Sequence, residues 1–320
     1  MRVIPSGSSG YLMEGKPVCS HCSGRAVYLD RESGTHLCSQ HLKESVQARV
    51  LNRIIQEKPL PDKFGVAFSG GKDSTALLAV LVALKEKIPS RLIALTVDEG
   101  IGGYREETIR HARDVCSRLN VEHRIITFPD LFGLSLDDFM KNSSRKACTI
   151  CGILRRRALE VLADQEGVHL LATGHNQDDH AQTTLMNAFS ADIKKVFAGS
   201  GRTSQFARRI KPFAAVSERE VTLYAILSDL FIDLPECPYA SDAFRGEVRR
   251  LLNRFEQEHP GSMRNLAHAE EEIRSRLKGK VQLQPLENCK VCGWSGSGEI
   301  CQVCTVLKEQ KNKNNSSTGQ

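Results

Sequence analysis

The stretch that decides the fold is Phe64-Gly65-Val66-Ala67-Phe68-Ser69-Gly70-Gly71-Lys72-Asp73-Ser74-Thr75-Ala76-Leu77-Leu78. Its first five residues are an apolar run with the length of a buried strand, and an apolar helix continues from the turn through Leu84. The turn Ser69-Gly70-Gly71-Lys72 therefore sits where a strand becomes a helix. In a parallel sheet that is the carboxyl edge, where ligands bind. Glycines let backbone N–H groups approach an anion, the helix N-terminus adds free donors and a positive dipole, and Lys72 adds a point charge. The string is not a Walker A loop, because Asp73 follows Lys72 and the glycine spacing differs. An ordinary tight turn is the bland alternative, and the six-residue string Ser69 to Ser74 in this context outweighs it.

Outward from this loop the same alternation repeats. Leu92 to Val97 reads as a second strand, Arg105 to Leu119 as a helix and Val121 to Phe128 as a third strand. Gly152 to Ala163 reads as a helix leading into a fourth strand, Val168 to Thr173. Short apolar strands alternating with helices imply an α/β fold with a doubly wound parallel sheet covered on both faces. Beyond Pro212 the pattern turns helical. Ser217 with Glu220 forms a capping box for a helix running to about Phe231, and further helices are expected over Glu247–Glu258 and Arg264–Leu277. The expected organisation is a metal-binding module at 1–50, a nucleotide-binding catalytic domain with a helical C-terminal part at 51–285, a cysteine ribbon at 286–306 and a disordered tail at 307–320.

The 44 basic and 38 acidic residues give a net charge of +6, which permits nucleic-acid binding without demanding it. No apolar run approaches the roughly 20 residues of a membrane span. Met1 to Gly10 lacks the basic and apolar regions of a secretory signal, so a cytoplasmic location and no membrane partner are expected. Eleven cysteines in a reducing compartment argue for metal rather than disulfides. Cys19-x2-Cys22 with Cys38-x2-His41 makes a Cys₃His set, and Cys289-x2-Cys292 with Cys301-x2-Cys304 a Cys₄ set. Both suit tetrahedral Zn²⁺, giving two zinc sites, with His21 and His36 as the competitors for His41. Cys116 reads as ordinary core.

Two more clusters carry chemistry. Gly174-His175-Asn176-Gln177-Asp178-Asp179 follows the fourth strand, and adjacent carboxylates at a sheet's carboxyl edge suit Mg²⁺ bound with phosphate oxygens. A helix N-cap is the equal competitor from position alone. Cys148-x2-Cys151, with Cys237 far downstream, has three readings: a redox dithiol, buried thiols, or ligands of a metal cluster that leave one iron open. Arg155, Arg156 and Arg157, together with Arg202, Arg208, Arg209 and Lys211 flanking a later strand, are candidate RNA contacts or a solvated face.

Ser69-Gly70-Gly71-Lys72-Asp73-Ser74 resembles the PP-loop of N-type ATP pyrophosphatases, which adenylate a carbonyl oxygen and release pyrophosphate. By that resemblance Ser69, Gly70, Gly71, Lys72, Asp73 and Ser74 bind ATP, with Val97, Asp98 and Gly174 beside it. Cys148-Thr149-Ile150-Cys151-Gly152-Ile153-Leu154-Arg155-Arg156-Arg157 is similar to the tRNA 2-thiouridine synthetases, the group holding bacterial TtuA and the archaeal and eukaryotic cytosolic tRNA thiolases. So are Asp98 to Arg105, Glu236-Cys237-Pro238-Tyr239 and Ala243 to Gly246. The resemblance implies that Cys148, Cys151 and Cys237 bind a [4Fe–4S] cluster whose free iron takes up sulfide, and that Asp179, Asp178 and Arg155 assist catalysis. Some members carry lysine where Arg155 stands, so Arg155 is assigned charge stabilisation rather than proton transfer. The implied enzyme is an ATP-dependent tRNA sulfurtransferase making 2-thiouridine. Wobble position 34 is preferred over position 54, sulfur comes from a ubiquitin-like thiocarboxylate protein or free sulfide, and a homodimer is expected. Two competing readings are a PP-loop tRNA-modifying ligase without sulfur transfer and a zinc-braced RNA-binding scaffold.

Overall fold

The computed structural model describes residues 17–141, 143–190, 206–240, 244–277, 287–296 and 298–317. The chain divides into two compact units, Met1–Ser45 and Val46–Gln320. In the first, β1 (Tyr28–Asp30) and β2 (Thr35–Leu37) form an antiparallel hairpin, followed by the start of α1 (Ser39–Ile55). Helix α1 continues into the second unit, where Val46, Val50 and Ile54 are fully buried at a spacing of one helical turn.

The second unit is built on five parallel strands in the order β5-β4-β3-β6-β7. They are β3 (Lys63–Ala67), β4 (Arg91–Asp98), β5 (Glu122–Thr127), β6 (Leu170–Thr173) and β7 (Arg208–Ile210). Helices α2 (Lys72–Ala83), α3 (Arg105–Arg118), α6 (Ala147–Gln165) and α7 (Gln177–Phe189) alternate with them, and the short α4 (Phe128–Phe132) and α5 (Leu136–Lys141) follow β5. The parallel α/β sheet expected from the apolar runs is therefore present, with β7 added at the edge. Phe64, Val66, Leu77, Leu78 and Leu81 are fully buried between β3 and α2. Gly65 is fixed by packing, since a Cβ there would lie 2.6 Å from the Val168 side chain.

Strand order reverses at β3: β4 and β5 extend to one side of it, β6 and β7 to the other. The crevice outside the carboxyl ends of β3 and β6 is thus the switch point at which such sheets bind ligands. The helical part holds α8 (Glu218–Leu227), α9 (Phe244–Glu258) and α10 (Ser262–Leu277). The ribbon hairpin β8 (Glu287–Asn288) and β9 (Ser295–Gly296) leads into α11 (Gln302–Ser317). The tail read as disordered from 307 is corrected: α11 runs on to Ser317, with Val306 and Gln310 buried along it. The low-complexity composition concealed a helix that starts inside the second cysteine knuckle. Residues 318–320 lie outside the described residues.

Candidate active site

The loop Ser69–Ser74 connects β3 to α2 as the sequence requires. Gly71 is the N-cap of α2 with no side-chain cap, so the helix N-terminal amides stay open. Gly70 has a φ of +82°, and a Cβ there would lie 2.4 Å from the Thr108 carbonyl oxygen. The Ser74 hydroxyl donates to the Gly71 carbonyl at 3.0 Å, and the Ser69 hydroxyl accepts from the Gly71 amide at 3.3 Å. Lys72 Nζ donates to Asp73 Oδ1 at 2.8 Å and to Glu218 Oε1 at 2.9 Å. Burial pulls the Lys72 ammonium down, but Asp73 and Glu218 more than offset it and hold its pKa above the ordinary value. Asp73 is raised, first by burial and further by the Glu218 and Asp179 carboxylates.

The second acidic cluster meets this loop across the switch point. A Cβ on Gly174 would lie 3.1 Å from Asp73 C and Ser74 N, so two backbones touch there. Asn176 caps α7, and a full capping box joins it to Asp179: the Asp179 amide donates to Asn176 Oδ1 at 3.0 Å and the Asn176 amide to Asp179 Oδ2 at 3.1 Å. The capping role weighed for this segment is thus real for Asp179, whose Oδ1 stands 3.7 Å from Arg245. Asp178 Oδ2 accepts from the Glu218 amide at 2.8 Å, and burial, with Glu218 and Asp179, pushes Asp178 up to about 6. Glu218 was not singled out in the sequence. Its signal was position, the first residue after the Ser217 N-cap in a helix that starts beside the crevice.

Cys148 and Cys151 stand in the first helical turns of α6, not before it as expected. Lys146, the N-cap, makes no side-chain cap, which leaves helix donors near the sulfurs. The Cys148 thiol donates to the Tyr239 carbonyl at 3.4 Å, two residues after Cys237, and Tyr239 Oη donates to Asp137 at 2.7 Å. Cys151, Cys237 and Tyr239 pack on the apolar cluster of Val97, Phe128, Leu136, Phe139, Ile150 and Leu154. Burial pushes the Cys151 thiol up to about 11, with Arg155 opposing and Glu99, Cys237 and Cys148 adding to the rise. Three free thiols thus lie in the same neighbourhood at one end of α6, near enough for Cys151 and Cys237 to feel the charge of the others, although their sulfurs are not gathered within the 4.8 Å that holds each terminal set. They are a soft donor set that fits an iron–sulfur cluster.

At the terminal sets, the ligand atoms of Cys19, Cys22, Cys38 and His41 lie within 4.8 Å of one another, as do those of Cys289, Cys292, Cys301 and Cys304. His41 Nδ1 is 3.4 Å from Cys19 Sγ and 3.3 Å from Cys38 Sγ. Several arginines offered for RNA have internal partners instead. Arg157 reaches Cys292 Sγ at 3.7 Å and Cys301 Sγ at 3.6 Å and stacks on Trp294, its guanidinium carbon 4.5 Å from the ring centre. Arg208 pairs with Glu57 at 2.6 Å and Arg209 with Glu160 at 2.5 Å. Thiols and an indole hold Arg157, the half-buried Glu57 holds Arg208 and the buried Glu160 holds Arg209, so this part of the basic surface reads as structural. Arg202 lies outside the described residues. Cys116 is buried, with its thiol pushed up to about 12 by that burial.

Residues 42–243 match the family ATP_bind_3, a PP-loop domain. The tRNA 2-thiolation protein NcsA of Haloferax volcanii is 36% identical over 317 residues, covering 91% of this chain and 98% of the relative. Cytoplasmic tRNA 2-thiolation protein 1 of Bos taurus is 36% identical, covering 91% and 87%. Among solved structures, the U34-tRNA thiolase NcsA from Methanococcus maripaludis with its [4Fe–4S] cluster superposes with a TM-score of 0.80 at 32% identity, covering 91% of this chain and 96% of that one.

Proposed function

The chain belongs to the PP-loop family of tRNA 2-thiolation enzymes, and within it we propose an ATP-dependent sulfurtransferase that converts a tRNA uridine to 2-thiouridine. The observation that carries this reading is the placing of Cys148, Cys151 and Cys237 together at the start of α6, beside a sheet whose switch point presents an intact PP-loop. ATP and Mg²⁺ bind the crevice through Ser69–Ser74, with Asp73, Asp178 and Glu218 as carboxylates suited to the metal and Val97, Asp98 and Gly174 beside the nucleotide. The uridine O2 attacks the α-phosphorus and pyrophosphate leaves. Lys72 and the α2 amides stabilise the charge on that leaving group. Sulfide then attacks C2 and AMP leaves, so no electrons are exchanged. Cys148, Cys151 and Cys237 would hold a [4Fe–4S] cluster, which would supply an iron without a protein ligand as a binding position for sulfide. Arg155 offers charge stabilisation beside it, and Asp179 anchors the start of α7 through its capping box. A PP-loop ligase without sulfur transfer has no use for three thiols placed together.

The M. maripaludis neighbour is named as a U34 thiolase, which supports wobble position 34 over position 54 here. We assign zinc to the two terminal sets. A homodimer is supported by Phe244, Leu251 and Phe255, which stay exposed along one face of α9. The sulfur donor is free sulfide or a ubiquitin-like thiocarboxylate protein. Among the described residues no helix is long and apolar enough to cross a membrane. The bovine relative is named as cytoplasmic, which supports a cytoplasmic location here.

Protein purified without oxygen should contain iron and acid-labile sulfide. Changing Cys148, Cys151 or Cys237 singly to Ala should remove iron and 2-thiouridine formation together while ATP binding survives. Lys72→Ala should abolish AMP formation. Full thiolation by iron-free protein would overturn the cluster reading, and normal AMP formation by Lys72→Ala would overturn the PP-loop chemistry.

A further inference from the structure

Between the nucleotide loop and the three cysteines runs a line of charges whose two buried members, Arg105 and Glu99, neither site accounts for. Arg105, only 4% exposed, opens α3 and points its guanidinium back under the sheet edge. Its NH1 donates to the Ser69 carbonyl at 3.3 Å and its NH2 to the Val97 carbonyl at 2.5 Å, one in the PP-loop and the other at the end of β4. Its Nε lies 2.8 Å from Glu99 Oε2. Glu99 is likewise 4% exposed, and its other oxygen lies 3.6 Å from Arg155 NH1. Arg155 is one helical turn beyond Cys151 on α6, so both lie on the same side of that helix, and more than half of the Arg155 side chain is open to solvent.

An Arg–Glu–Arg triad of this kind gains little stability, because desolvating Arg105 and Glu99 offsets their attraction and the exposed Arg155 adds only a solvent-screened contact. It does fix geometry. Glu99 is the only link among the described ion pairs between the guanidinium bonded to the nucleotide segments and the one beside the cysteines. The joint is also incompletely made. Arg105 Nε and Glu99 Oε2, though 2.8 Å apart, have no hydrogen bond of good angle, so the contact is an ion pair whose hydrogen bond is not made, while NH1 and NH2 hold the guanidinium to Ser69 O, Thr108 Oγ1 and Val97 O.

Resting on the ATP and cysteine sites proposed above, we propose that Glu99 is a positioning residue that couples the two. Nucleotide phosphates settling on Ser69–Ser74 adjust the Ser69 carbonyl held by Arg105. Arg105 turns against Glu99, and Glu99 resets Arg155 over the thiols. Coupling of this sort is reciprocal, so occupancy of the cysteine site also alters nucleotide affinity. The arrangement ties delivery of sulfur to the presence of ATP, so the cysteine site is set for attack only when a uridine can be adenylated.

The test uses the full chain without iron, so that it reads the residues rather than turnover. The alkylation rate of Cys148 and Cys151 by iodoacetamide, resolved by peptide mass, is measured at one pH with and without a non-hydrolysable ATP analogue, alongside the affinity for that analogue. In the wild type the analogue should change the rate by about fivefold. In Glu99→Gln, and independently in Arg155→Gln at the exposed end of the chain, that response should shrink to less than about twofold while the analogue still binds. Should Glu99→Gln fail to fold, Arg155→Gln decides. Binding of the analogue with an unchanged thiol response in either folded variant, or with no response in the wild type, overturns the coupling. Failure of the wild type to bind the analogue instead overturns the nucleotide site itself, and the coupling with it.

Discussion

At Gly70 the backbone takes a φ of +82° with Thr108 O 2.4 Å from where a methyl would sit, whereas Gly71 is extended and a Cβ there would meet only Ser69 Oγ at 3.4 Å. The two neighbours should therefore respond differently to the same change. Gly70→Ala should cost about 2–4 kcal/mol and remove nucleotide binding, combining left-handed strain with a backbone clash. Gly71→Ala should cost under about 1 kcal/mol, because its φ already suits an alanine. Thermal melts with ATP titrations separate the cases, and equal losses at both positions would show the strain argument to be wrong. Glycine, lysine and cysteine at this scale were legible because their types and spacings carry the chemistry. Glu99, Arg105 and Glu218 were not assigned roles. A carboxylate or guanidinium has no motif of its own, and its function came only from partners such as Ser69 O, Arg155 and Lys72.

Where α7 packs against α10, Glu270 is 5% exposed and accepts from Thr184 Oγ1 at 2.9 Å, with His180 Nδ1 at 3.9 Å and Arg274 at 2.6 Å. Burial alone would raise this carboxyl, but the His180 and Thr184 contacts and the Arg274 charge override it and hold it at about 2, below its ordinary 4.5. A depressed carboxyl stabilises the fold above its unfolded pKa and loses that stabilisation as pH falls toward the folded value. Glu270→Gln should thus lower stability at pH 7 by about 1–3 kcal/mol, and the gap to wild type should close between roughly pH 5 and pH 2. A gap independent of pH in denaturant titrations would mean packing rather than charge holds the pair of helices. Elements buried on both faces, such as β3, β4 and β6, were readable because an apolar run leaves few alternatives. Helix α1 was missed although Leu42, Val46, Val50 and Ile54 recur every four residues, because the zinc-ligand spacing before it drew that segment into the terminal module. Strand β7, three residues long, rests on its neighbour β6 rather than on a signal of its own.

Across the molecule, the C-terminal ribbon and the cysteine helix share one core. Cys289, Cys301, Val303 and Val306 pack in the same buried cluster as Ile150, Leu154 and Ala158 of α6, and Arg145 pairs with Glu309 of α11 at 2.6 Å. Removing the proposed zinc should therefore be felt beyond the ribbon. Cys301→Ala should lower the melting temperature and zinc content, and should also halve or worse the iron retained by Cys148, Cys151 and Cys237. Unchanged zinc would mean the ligand set is misdrawn, and lost zinc with full iron would mean the ribbon does not brace α6. The reversal of strand order at β3 has one more consequence, in the time order of synthesis. A nascent chain that has emerged through Thr127 holds β3, β4 and β5, yet only one wall of the nucleotide crevice. The other wall waits for β6 and the start of α7, the acidic partner of Lys72 waits for Glu218, and the third thiol, Cys237, emerges later still. The growing polypeptide therefore cannot assemble either half-site early, and the nucleotide and the ligand of the three cysteines meet a chain whose five strands are already made, whereas the terminal Cys19–His41 set is complete before β3 emerges.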